Sequence, residues 1–119
     1  MLKLLEGFGD ETIAIETHGE ITRSDYEEVL IPRAKEILET YEKVKCFMHI
    51  TEGSTYSMGA VATDTVFGLR HLFAWERIAL VTDVEWVHKA AGFFLPLMPF
   101  EAKLFSEKEY EYAKTWLES

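Results

Sequence analysis

The chain has 119 residues, 48% of them hydrophobic, and carries 12 Lys and Arg against 21 Asp and Glu, a net charge of -9. At this size folding hides about two-thirds of the surface that the open chain exposes, enough for one core without staples, so a disordered tail and a miniprotein are both excluded. The negative balance repels a phosphate backbone and no run of basic residues offsets it, so nucleic acid is not an expected partner.

Two short strand-like runs come first, Leu2 to Glu6 and Thr12 to His18, joined by a turn containing Gly7 and Gly9. They read as an antiparallel hairpin. Thr22 offers a hydroxyl cap with Asp25 three residues on, and Leu30, Ala34, Ile37, Leu38 and Tyr41 keep helical spacing, which predicts the first helix. Pro32 lies inside it and removes a backbone donor, so a kink or a break is expected there. Val44 to Ile50 is apolar at nearly every position, the pattern of a mid-sheet strand covered on both faces.

From Met58 the apolar positions fall on a helical stripe, and Met58, Ala62, Thr65 and Leu69 are taken as the core face of the second helix. Its opposite face then carries Ala60, Asp64, Phe67 and His71. Arg77 to Thr82 predicts another buried strand, and Asp83 is placed to cap a third helix running from Val84 to about Leu95. Phe100 to Phe105 alternates as an edge strand does, and Ser106 with Glu109 forms a capping box for a last helix ending near Leu117. The order predicts one α/β domain over residues 1–119: a mostly parallel five-stranded sheet with an antiparallel N-terminal strand and about four helices.

Phe67 to His71, Arg77 to Val81, Glu85 with Trp86, and Ala113, Trp116 and Leu117 together resemble the SpoIIAA-like family, which is related to the STAS domains. The resemblance implies a β/α superhelix and a module that binds or switches partners in preference to catalysing a reaction. Antagonist-type STAS domains carry a phosphorylated Ser after an Asp at the start of a helix. No Asp-Ser pair occurs in this chain, whose matching region runs from Thr51 to Ser57. Ser54 and Ser57 are the available phosphorylation candidates, and helix capping is the alternative reading of both.

No chemistry-bearing constellation stands out. The single cysteine, Cys46, cannot form an internal disulfide, and its strand spacing to His49 sends the two side chains to opposite faces. His18, His49, His71 and His88 show no ligand spacing, so neither a metal nor another cofactor is expected, and an enzyme is the least favoured class. Met1 to Leu5 meets Glu6 with no apolar signal core behind it, and the uncharged stretch Ala90 to Phe100 is about half of the roughly 20 residues a spanning helix needs. The expectation is a cytoplasmic protein, at most peripheral at a membrane.

The strongest functional signal lies in the third helix and the loop after it. Trp86, Phe93, Phe94, Leu97 and Met98 provide more apolar surface than one sheet face can cover, unless strand ends and the last helix enclose it. Together with Asp64, Phe67 and His71 they form the predicted ligand-binding set, between the second and third helices. An apolar small molecule or a lipid surface is the expected partner, with a homodimer as a further option. The competing reading is a regulatory protein bound at Gly53 to Ser57.

Overall fold

A computed structural model describes all 119 residues. Strands β1 (Leu2–Leu4), β2 (Thr12–Thr17), β4 (Val44–Ile50), β6 (Trp75–Thr82) and β7 (Glu101–Phe105) form a five-stranded sheet in the order β1-β2-β4-β6-β7. Only the β1–β2 pair is antiparallel, with Leu2 opposite Thr17 and Leu4 opposite Ile15. The other pairs are parallel, and their register aligns Ile13 with Cys46, Cys46 with Ile78 and Ile78 with Ala102 across one face. The apolar runs of β4 and β6 therefore lie mid-sheet, while the alternating β7 lies at an edge, as the hydrophobic patterning predicts. Two short strands, β3 (Glu20–Ile21) and β5 (Thr55–Tyr56), pair in parallel beside this sheet. They are too short to leave a periodic signature.

Three helical segments follow one another without a break: α1 (Arg23–Asp25), a π-helical turn (Tyr26–Leu30) and α2 (Ile31–Thr40). Thr22 and Asp25 form the expected capping box. At Pro32 the chain neither breaks nor ends. The wide turn carries the Ile31 N–H to the Tyr26 carbonyl, five residues back, which accommodates a proline that can neither donate nor tolerate a close carbonyl behind it. The remaining helices are α3 (Met58–Arg70), α4 (Glu85–Phe94) and α5 (Tyr110–Glu118), with 3-10 turns at Leu95–Leu97 and Glu107–Glu109.

Alternation along the strands gives the sheet two different faces. Ile13, Ile15, Val44 and Cys46 pack with Tyr26, Leu30, Ile37, Ala60 and Phe67 in a core shared with α1 to α3. Ile50 and Leu80 on the same face pack against Val87 and Ala91 of α4 in a separate core. The opposite face is covered by α5, where Ala14, Phe47, Ala79, Val81 and Phe105 meet Ala113 and Leu117. Asp83 does not cap α4 as expected. Thr82 Oγ1 instead accepts from the Val84 N–H at 3.0 Å, and Asp83 Oδ1 accepts from the Glu107 N–H at 3.0 Å, so Asp83 tethers the C-terminal segment to the end of β6.

Candidate functional site

Helix α3 begins at Ser57, whose hydroxyl accepts from the Ala60 N–H at 3.0 Å. The helix is rotated relative to the sequence reading. Met58 and Leu69, assigned to the core stripe, are 84% and 66% exposed, whereas Ala60 and Phe67 of the opposite stripe are buried. The helix carries apolar residues around most of its circumference, so periodicity does not select a side. The compact Ala60 permits close approach to the sheet, and Phe67 fills the space against Trp75, their ring centroids 6.3 Å apart. Phe67 is thus a core residue that touches a cleft, not an exposed wall of a groove.

The predicted ligand set is dispersed over four places. Phe67 and His71 lie along a cleft of about 370 Å³ between α3 and the α1–α2 segment. Their rings stack at 4.4 Å, and His71 Nδ1 lies 3.1 Å from the Phe67 carbonyl. Met98 lines a different cleft of about 640 Å³ with Phe73, Trp75 and Phe100. Trp86, Phe93, Phe94 and Leu97 are 50 to 67% exposed and stand out from the surface of α4 and the turn that follows. Phe93 and Phe94 meet edge to face at 5.0 Å.

Asp64 of α3 lies close to Tyr26 and Tyr56. Met48 and Tyr56 pack against both the α1–α3 core and the α4 core, yet each remains partly exposed, as does Ile78. The cover over the central strands is therefore incomplete at these residues. Trp86 lies with its ring edge-on to Tyr56, centroids 6.0 Å apart. Asp64 keeps solvent access. The surrounding protein nevertheless strips much of its water, which raises its carboxyl above the usual range against the opposing hydrogen bond from Tyr26. Burial, together with the nearby Asp64 charge, likewise pushes the Tyr26 and Tyr56 hydroxyls upward. A solvent-reachable acid with two phenols beside it can orient one polar group of a bound molecule.

Sequence spacing does not reveal a second polar cluster. His49 of β4 lies with Nδ1 at 3.0 Å from Glu16 Oε2 and Nε2 at 2.7 Å from Glu107 Oε2. Glu16 Oε1 is also 2.6 Å from His18 Nε2. These residues come from β2, β4 and the C-terminal segment, so only tertiary packing assembles them. No group of His, Cys, Asp and Glu side chains has an arrangement able to hold a metal ion.

The SpoIIAA-like family model matches residues 12–118. The chain belongs to the SpoIIAA-like family. An uncharacterised protein of the DUF3478 family with a SpoIIAA-like fold, from Shewanella loihica PV-4, is 25% identical and superposes with a TM-score of 0.77, covering 98% of this chain and 92% of its own. No curated protein matches. In this SpoIIAA-like chain Ser54 of the hydroxyl-rich segment is bonded inward. Ser54 is 2% exposed, with Oγ at 2.8 Å from Thr17 Oγ1 and 3.3 Å from Thr51 Oγ1. Ser54 is thus buried, and Ser57 is engaged as the α3 cap. No helix is long and apolar enough to cross a membrane.

Proposed function

We propose that this SpoIIAA-like protein is a noncatalytic binding module whose apolar α4 face and the adjoining surface toward α3 take a hydrophobic small molecule or a lipid-like surface. One observation carries the reading: Trp86, Phe93, Phe94 and Leu97 all remain at least half exposed, and the central-strand residues Met48 and Ile78 are incompletely covered. Sequestering each large apolar side chain from water gains about 1.5 to 3 kcal/mol at full burial, an incentive the isolated chain leaves unused. Asp64, whose carboxyl burial raises above the usual range, supplies a polar contact beside this face.

Mass spectrometry of the purified protein under native conditions tests for a retained apolar ligand, and flotation with neutral phosphatidylcholine vesicles tests for a lipid surface. Phe94→Asp places a charge on the face and should reduce either association at least tenfold without changing the fold. Unaltered association in this variant, or neither ligand nor vesicle binding in the parent, rejects the reading. Sedimentation of the same two proteins distinguishes a homodimer buried through this face, which Phe94→Asp would dissociate.

A further inference from the structure

We infer a second, independent binding site for a small amphipathic anion, a carboxylate or phosphate monoester on a short apolar body, in the cleft between α3 and the α1–α2 segment. The chain is acidic overall, with only 12 Lys and Arg, yet Arg23, Lys35 and Arg70 all line this one cleft, joined by His71. They are far apart in sequence, so folding creates the basic patch that no sequence run displays. Glu27 is the single carboxylate in the lining and is already paired with Arg23 at 3.2 Å. Lys35 and Arg70 form no ion pair within the chain, leaving their charge available to a ligand.

The same lining offers apolar side chains: Ile31 from one wall, Val66 and Phe67 from the other. Val66 is 49% exposed, so this apolar surface is open to contact. The His71 ring is fixed by its stacking on Phe67 and by Nδ1 at the Phe67 carbonyl, which leaves Nε2 without a partner in the protein. The volume, about 370 Å³, falls in the range of small-molecule sites, about 300 to 1,000 Å³. Positive charge beside apolar side chains is complementary to an anion with a hydrocarbon body, whereas a neutral hydrocarbon would gain nothing from Lys35 or Arg70. A fully hydrated inorganic anion would gain nothing from Ile31, Val66 and Phe67.

The probes are monomeric decanoate, decyl phosphate, decanol and inorganic phosphate, titrated into the intact chain and followed by backbone NMR shifts and calorimetry. The two amphipathic anions should bind at least tenfold more tightly than decanol or phosphate, weaken with added salt, and shift the amides of Val66, Phe67 and His71. The exposed pair Lys35→Glu with Arg70→Glu should lower that affinity at least tenfold, and Lys35→Gln with Arg70→Gln by a smaller factor, while Phe94→Asp leaves it unchanged. Equal binding of decanol, indifference to the charge reversals, loss in Phe94→Asp, or capture by anionic vesicles with no response to monomeric decanoate each overturns the site. The Phe94→Asp arm separates failure here from failure of the α4 reading.

Discussion

His49 Nε2 lies 2.7 Å from Glu107 Oε2, and this contact joins the middle of the sheet to the segment that starts the C-terminal helix. The other ring nitrogen faces Glu16 Oε2 at 3.0 Å, so both nitrogens meet acceptors and only the imidazolium can donate to both. The bridge is partly sheltered, with the His49 side chain 13% exposed.

Glu16 makes this network sensitive to acid. Burial opposes its ionisation, but hydrogen bonds and charge from His18 and His49 outweigh that effect and hold its carboxyl below the ordinary value. A depressed carboxyl contributes stability above the unfolded-state value of about 4.3 and loses it as pH falls through the folded-state value. Urea denaturation at a series of pH values should therefore show stability falling below about pH 4.5, with a shallower fall in Glu16→Gln. Parallel curves for the two proteins would remove Glu16 from the account.

The rotated face of α3 gives opposite expectations for two neighbouring apolar residues. Phe67 is 8% exposed and Leu69 is 66% exposed. Phe67→Ala should cost about 3 to 5 kcal/mol and Leu69→Ala less than about 1 kcal/mol in chemical denaturation. The reverse ranking would restore the stripe that periodicity alone selects.

The hydroxyl segment divides into a cap and an inward-bonded serine. Ser57→Ala removes the acceptor for the Ala60 N–H and should cost about 1 kcal/mol. Ser54→Asp forces a charge into the space shared with Thr17 and Thr51 and should cost more, about 3 kcal/mol or above. Thermal melts that leave Ser54→Asp at the parent midpoint would show that the segment opens freely and so reaches modifying enzymes.

Cys46 is 2% exposed among the residues of the α1–α3 core, and desolvation pushes its thiol up to about 12. It should be inert to a disulfide reagent at pH 8 and react only at the rate of unfolding. Rapid labelling of the native protein would mean that the core opens locally at β4.

Much of the architecture is local and can therefore be read from the sequence. Runs such as Val44 to Ile50 and Arg77 to Thr82 are apolar on both faces, the Thr22 and Ser106 caps announce helix starts, and the alternation after Phe100 marks an edge. The composition also determines that α4 and its following turn carry more apolar surface than one helix buries. The side of α3 that meets the sheet was decided only by packing, because apolar residues surround that helix and the fit of Ala60 and Phe67 against the other elements breaks the tie. Packing likewise sent Phe67 and His71 to a cleft away from the exposed Trp86 and Phe94, and brought Arg23, Lys35 and Arg70 together. Such groupings depend on side chains that meet across elements, and the period of a single element holds no information about its neighbours.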